Sequence, residues 1–284
     1  MEKVCVAGGG TMGLDIALLF ALKGISAVVR AREVTDAYIQ RAESRITKSA
    51  SRLCAKEIID EETRDSVLAR ISFTSDLQDA SDCDLIIEAI IENMEEKKRL
   101  FAELDKICKE ETVFATNTSS ISITELSSVT NRPDRFIGMH FFNPATVMKP
   151  VEVVRSAGTS DETFETIYKL TEYIGKTPVA VHEAPGFVVN RILIPMINEA
   201  VGVLADKTAE AADIDKLMQL GANHPLGPLA LSDLIGNDVI LNIMDTLRVD
   251  TGDDKYAAHP ILRDMVRDGL LGKKSGKGFY DYSR

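Results

Sequence analysis

The stretch Val4-Cys5-Val6-Ala7-Gly8-Gly9-Gly10-Thr11-Met12-Gly13, followed by Ile16-Ala17-Leu18-Leu19-Phe20-Ala21-Leu22, decides how the chain is read. Its first four residues are apolar and rich in β-branching, the pattern of a buried strand, and its last seven have the length and apolarity of a helix. Between them Gly8, Gly10 and Gly13 stand in G-x-G-x-x-G spacing, with Gly9, Thr11 and Met12 completing the loop. Gly8 permits a tight turn, Gly10 lets the backbone approach a diphosphate, and Gly13 lets helix and strand pack closely. The helix N-terminus then offers unpaired N–H groups to the anion. Glycine-rich loops are common, so the weight lies in the context of a strand before and a helix after. The alternative is an ordinary strand-turn-helix. Asp15, in the first turn of the helix, suits a phosphate site only if its carboxylate points away.

A second strand follows Gly24, over Ser26-Ala27-Val28-Val29. Dinucleotide folds place an acidic residue at its carboxyl end, about 20 residues past the glycines, to bind the adenosine ribose. Here the sequence is Arg30-Ala31-Arg32. Ala31 offers no acceptor, whereas two guanidinium groups suit a 2′-phosphate. The expected cofactor is therefore NADP(H) in preference to NAD(H). The alternative leaves one arginine solvated and gives the acidic role to Glu33.

Strands alternate with helical segments as far as residue 183. After a charged, helix-rich arm at 36–70 come strands at 84–89, 113–116, 136–139, 151–154 and 178–181, with a helix at 96–108. This order predicts an α/β, doubly wound, mostly parallel sheet of Rossmann type. Ligands sit outside the carboxyl ends of such strands. The clusters Asn117-Thr118-Ser119-Ser120 and His140-Phe141-Phe142-Asn143 fall at such ends. Beyond Pro185-Gly186-Phe187 strand signals stop, and 191–207, 210–220 and 231–247 read as helices. The expected domains are 1–183 for dinucleotide binding and 184–284 for an all-helical substrate and dimerisation domain. Its Leu-, Ile- and Met-rich helices carry more apolar surface than a small bundle hides, so a homodimer through this domain is expected. The tail Gly272 to Tyr280 reads as a basic, flexible loop that returns to a phosphate or carboxamide site.

Composition narrows the classes. A formal charge of −11 over 284 residues argues against nucleic-acid binding. Arg41, Arg45, Lys48, Arg52 and Lys56 recur at three- and four-residue spacing, so they share one helix face. That face is either solvated or a receiver of phosphates. Four scattered cysteines without a C-x-x-C pair read as reduced thiols, with no metal site and no disulfide framework. No apolar run reaches the ~18 residues of a membrane span. The expectation is a soluble, cytoplasmic protein.

Of four histidines, His140 alone lies at the end of a predicted sheet strand, and Glu152 lies on the next one. A histidine held by a carboxylate is a general base suited to neutral pH. Ser119 and Asn190 are candidates to hydrogen-bond a substrate oxygen whose charge changes. The alternative is a structural imidazole.

Six stretches together resemble the 3-hydroxyacyl-CoA dehydrogenases, and among them the short bacterial 3-hydroxybutyryl-CoA dehydrogenases. They are Gly8 to Gly13, Glu88-Ala89-Ile90-Ile91-Glu92-Asn93, Ala115 to Ser120, Gly138-Met139-His140-Phe141-Phe142-Asn143-Pro144, Pro185-Gly186-Phe187-Val188-Val189-Asn190-Arg191, and Gly276-Lys277-Gly278-Phe279-Tyr280. The resemblance spans nearly the whole chain. It implies that His140, oriented by Glu152, takes the proton from a 3-hydroxyl while hydride leaves C3 for the nicotinamide. In reverse, His140 protonates the alkoxide forming from acetoacetyl-CoA. It implies substrate roles for Ser119 and Asn190 and cofactor contacts for Ala89, Glu92, Lys97, Asn117, Ser119 and Asn143. Lys274 matches a lysine reaching from the tail toward the cofactor. Ser49 and Lys56 match positions contacting coenzyme A.

Three departures stand out. Ala31 replaces an aspartate of NAD-using members, Asp15 replaces a small residue, and Pro150 an aliphatic one. The expected activity is NADP(H)-linked (S)-3-hydroxybutyryl-CoA dehydrogenase, mostly as acetoacetyl-CoA reductase. The alternatives are a free 3-hydroxyacid dehydrogenase of the same fold and a crystallin-like, non-catalytic nucleotide-binding protein.

Overall fold

The protein is described by a computed structural model over residues 1–283. They fall into two compact units, Met1–Glu183 and the described residues from Ala184 onward. In the first unit, β1 (Lys3–Ala7), β2 (Ser26–Arg30), β3 (Ile71–Thr74), β4 (Leu85–Glu88), β5 (Val113–Thr116), β6 (Phe136–Phe141), β7 (Pro150–Arg155) and β8 (Thr177–His182) form one sheet. The strand order is 3-2-1-4-5-6-7-8. All neighbours are parallel except β6 and β7, which run antiparallel. The order reverses between β1 and β4, where doubly wound sheets open a crevice at their carboxyl edge.

Helices α1 (Thr11–Ala21), α2 (Asp36–Cys54), α3 (Glu61–Ser66), α4 (Met94–Ile107), α5 (Ile123–Ser127) and α6 (Asp161–Tyr173) complete this unit. From Gly13 to Ala21 every residue of α1 is buried, as its all-round apolar sequence requires. Thr35 caps α2 and Asn93 caps α4, each accepting the backbone N–H of the third residue of its helix. The core runs along the sheet through Val4, Val6, Ile87, Ala115, Ile137 and Val153. Phe101 of α4 meets the rings of Phe114 and Phe136 at centroid distances of 5.6 and 4.6 Å. Such pairs add about 0.5–1.5 kcal/mol each beyond area burial. They seat α4 on β5 and β6, with Lys97 on its buried face.

The second unit comprises α7 (Val189–Ala205), α8 (Ala211–Gly221), α9 (Pro228–Ile235), α10 (Asn237–Thr251) and α11 (Pro260–Arg267). Its core includes Ile194, Ile197, Leu229, Ile240 and Met244. No helix among the described residues is long and apolar enough to cross a membrane.

The structure corrects four local expectations. The arm is followed by a short strand, β3, which pairs with β2 and whose sequence Ile71-Ser72-Phe73-Thr74 lacks the apolar run that marks β4 and β5. Lys56 lies beyond the end of α2, so it does not share the basic helix face. The single helix expected over 231–247 breaks at Gly236, whose φ of +110° suits glycine and not a helix interior. The tail is pinned, not flexible: the backbone N–H groups of Phe279 and Tyr280 donate to the Asp233 carboxylate at 3.0 and 2.9 Å. The Tyr280 hydroxyl donates to Asp215 at 2.7 Å.

Candidate active site

The glycine loop lies between β1 and α1. A Cβ on Gly8 would collide with the Ala89 carbonyl, and one on Gly13 would collide with the Gly8 carbonyl. Gly10 differs: a Cβ there would meet nothing within 4 Å. Its backbone therefore faces open space at the head of a helix, the arrangement a diphosphate requires. The residues present fit a dinucleotide. The Asp15 carboxylate is buried and turns to Arg45, which donates to it at 3.1 Å. Burial raises this carboxyl above the usual range, against the pull of Arg45.

At the carboxyl end of β2, Ala31 is buried. Arg32 is largely exposed and its link to Glu96 is 3.5 Å long, a weak surface contact. Among the described residues the buried Nε of Arg30 has no hydrogen-bond partner and neither guanidinium makes a close ion pair.

Three strands along the sheet from β1, His140 sits inside β6 rather than after it. The strand runs to Phe141 because β7 pairs with it through Phe141 and Val151. The same register puts His140 directly opposite Glu152. Nδ1 of the imidazole lies 2.6 Å from Oε2 of the carboxylate, and both side chains are buried. Phe142 packs beside the imidazole, with centroids 4.7 Å apart. Asn117, just past β5, accepts the Phe141 backbone N–H through Oδ1 at 2.9 Å. That bond ties the loop after β5 to the histidine strand.

A charged network underlies Ser119. Glu88, ending β4, is fully buried and accepts from Ile90 N at 2.7 Å, Lys97 Nζ at 2.6 Å and Thr116 Oγ1 at 2.6 Å. Lys97 Nζ also lies 3.0 Å from Glu92 Oε2. The other Glu92 oxygen accepts from Thr118 Oγ1, and from Ser119 N at 3.0 Å and Ser120 N at 3.3 Å. Glu92 thus holds the backbone of the Ser119 loop. Burial raises the Glu88 carboxyl despite Lys97. At Glu92 the burial effect is outweighed by Lys97 and Thr118, so its carboxyl lies below the usual range. Lys97 is 1% exposed, so its ammonium works on these two acids from inside the fold.

The remaining candidates lie apart in the chain. Asn143 is exposed in the loop between β6 and β7, Ser49 is half-buried on α2, and Lys56 is exposed beyond it. In the second unit, Asn190 is the second residue of α7, and Lys274 donates to Asp238 at 2.6 Å. Glu88, Thr116 and Tyr38 were not singled out from sequence. An acid closing the apolar run Leu85-Ile86-Ile87 was a legible signal for Glu88; Tyr38 left none.

Two family models match, in sequence order. The 3-hydroxyacyl-CoA dehydrogenase NAD binding domain covers residues 3–184, and the 3-hydroxyacyl-CoA dehydrogenase C-terminal domain covers 186–282. A 3-hydroxybutyryl-CoA dehydrogenase of Clostridioides difficile is 51% identical over 282 residues, covering 99% of this chain and 100% of that protein. The mitochondrial hydroxyacyl-coenzyme A dehydrogenase of Homo sapiens is 37% identical over 289 residues, covering 99% and 91%. A crystal structure of (S)-3-hydroxybutyryl-CoA dehydrogenase from Ralstonia eutropha superposes with a TM-score of 0.94 at 45% identity, covering all of both chains. With both domain models matched in order and full-length relatives at this identity, the chain belongs to the 3-hydroxyacyl-CoA dehydrogenases, nicotinamide-dependent oxidoreductases acting on a CH–OH donor.

Proposed function

We propose that the protein is an (S)-3-hydroxybutyryl-CoA dehydrogenase that prefers NADP(H) and works mostly as an acetoacetyl-CoA reductase. The observation that carries the reading is the buried His140–Glu152 pair on the sheet that bears the glycine loop. Three strand spacings separate β1 from β6, roughly 14 Å. An extended dinucleotide would span that distance, held by the glycine loop and by the residues at the carboxyl end of β2, and would bring a hydride acceptor or donor toward His140.

The carboxylate of Glu152 accepts the Nδ1 proton of His140, which leaves Nε2 as the acceptor on the far side of the ring. In oxidation, Nε2 takes the proton of the 3-hydroxyl as the C–O bond becomes a carbonyl and hydride departs from C3. A bound nicotinamide supplies the acceptor for that hydride, or its donor in reverse. In reduction, Nε2–H gives its proton to the forming alkoxide, and Glu152 stabilises the imidazolium before that transfer. Ser119, placed by Glu92, is assigned to the substrate oxygen, and Asn190 receives the same task from the family resemblance. Glu92 and Asn117 shape the cofactor side. Ser49 and Lys56 are assigned to the coenzyme A moiety, Lys274 and Asn143 to cofactor contact.

The preference for NADP(H) rests on Ala31 and on two arginines that make no close ion pair among the described residues. A homodimer through the second unit is favoured by exposed apolar side chains there: Leu220 is 76% exposed, Val249 79% and Ile192 67%. The deciding assay measures acetoacetyl-CoA reduction with NADPH and NADH side by side, with His140→Gln and free acetoacetate as controls. A higher kcat/KM with NADPH on the thioester is expected. A higher value with NADH overturns the cofactor half, and turnover of free acetoacetate at the thioester's rate overturns the substrate half.

A further inference from the structure

We propose that Tyr38 determines the cofactor's 2′ chemistry together with Ala31, its hydroxyl standing as a neutral donor in the corner where an NAD-preferring chain would hold a carboxylate. The inference rests on the cofactor reading above and adds a residue to it. Tyr38 lies in the first turn of α2, its backbone N–H held by the Thr35 hydroxyl at 3.2 Å. Its ring meets Phe73 of β3 edge-on, with centroids 5.9 Å apart. Its hydroxyl donates to the Gly9 carbonyl at 3.2 Å.

Gly9 shows how tightly this corner is closed. A Cβ built there would collide with the Tyr38 hydroxyl, and would stand 2.9 Å from Tyr38 Cζ and 2.7 Å from Ala31 Cβ. The phenol oxygen, the Ala31 methyl and the glycine loop therefore converge on one point. Ala31 is itself fixed, its N–H donating to Thr74 at the end of β3 at 2.9 Å. Burial raises the phenol above its usual range, so the group there is a protonated donor.

The chemistry follows from donor and acceptor inventories. A carboxylate grips ribose hydroxyls because it only accepts; a phosphate only accepts too, so it needs donors. A phenol O–H can exchange its neutral bond to the Gly9 carbonyl for a stronger, charge-assisted bond to a phosphate oxygen. The same donor interferes with a simple reversal of preference. A carboxylate introduced at position 31 emerges beside the Tyr38 hydroxyl and binds it, which turns the acid away from the ribose.

The test is a double-mutant cycle with Ala31→Asp, Tyr38→Phe and both together, reading Kd for NADPH and NADH by nicotinamide fluorescence. Tyr38→Phe keeps the ring on Phe73, and a thermal melt of each variant checks folding. Tyr38→Phe should weaken NADPH about tenfold and leave NADH within about twofold. Ala31→Asp alone should shift the NADH:NADPH affinity ratio only a few-fold. The double variant should exceed the product of the single shifts by about tenfold, the non-additivity of groups in contact. Equal effects of Tyr38→Phe on both cofactors, or single shifts that simply multiply, would overturn the proposal. A wild-type preference for NADH with the coupling intact would instead overturn only the cofactor reading on which it was built.

Discussion

His140 and Glu152 are cross-strand partners at the one antiparallel joint of a sheet that is otherwise parallel. Directly opposed residues on an antiparallel pair have Cβ atoms about 5 Å apart, close enough for an imidazole and a glutamate to meet without either leaving its strand. The result is a 2.6 Å contact inside the protein. The pair is thus positioned by backbone register, the most rigid device the fold has.

From this joint follows the first prediction. His140→Gln should lower kcat by about 10²–10⁴, because glutamine cannot carry the proton. Glu152→Gln keeps the volume and loses the charge; its kcat should fall by a comparable factor while the Kd for reduced cofactor stays within about twofold. The double variant should be little worse than the worse single one, since residues acting as a unit are not additive. Stopped-flow reduction and fluorescence titration check these values. A double variant whose loss is the product of the two would mean that the residues act separately.

Lys97 is one cation between two carboxylates. Removing it by Lys97→Met strands the Glu88 charge in the interior. A loss of about 3–5 kcal/mol is expected, read as a fall in the urea midpoint. Glu92→Ala should cost less stability and should raise KM for the thioester, because the Ser119 backbone loses its acceptor. An unchanged KM would mean that the loop holds its shape without Glu92.

Lys176 gives a pH signature. The residue is 8% exposed, and its ammonium donates to the Met148 carbonyl at 2.8 Å. Burial pulls it from 10.5 to about 8, with Asp15 opposing. Between those values the unfolded chain binds more protons than the folded one, so stability rises with pH. Below about 8 the cost of the buried charge is fully present. Lys176→Met should flatten this rise. Urea midpoints at several pH values from 7 to 10 test it, and equal slopes for variant and wild type would refute it.

Asp233 anchors the tail. It is 1% exposed and accepts from two tail N–H groups and from Asn237 Nδ2 at 3.1 Å. Hydrogen bonds to a charged group contribute about 1.5–3 kcal/mol each. Asp233→Ala should free the tail, so trypsin should cut after Lys273, Lys274 or Lys277 much faster than in wild type. Cleavage at the wild-type rate would show that the two aromatic residues hold the tail without the carboxylate.

Much of this architecture was legible along the chain. The glycine spacing, the apolar strand runs and the polar cluster after β5 are local patterns, and the structure has the loop, the strands and the polar turn at those places, with His140 one step inside β6. The misses share a cause. Strand β3 alternates apolar and polar residues over only four positions and is completed by its pairing with β2. The helix break at Gly236 depends on one backbone angle. Lys56 leaves the basic face because α2 ends at Cys54, and the tail is held by a partner, Asp233, that lies 46 residues before Phe279.

Periodicity and glycine spacing are properties of neighbouring residues, so the α/β-then-helical order, the glycine loop between strand and helix, and His140 and Glu152 as candidates could be read along the chain. The antiparallel pairing of β6 and β7 with those two side chains in register, the one buried lysine that serves two acids, and the phenol from α2 that closes the corner beside Ala31 come from the packing of distant segments. Those arrangements depend on hydrogen bonds and contacts between segments far apart in the chain, and no local pattern encodes which distant partner will satisfy a buried polar group.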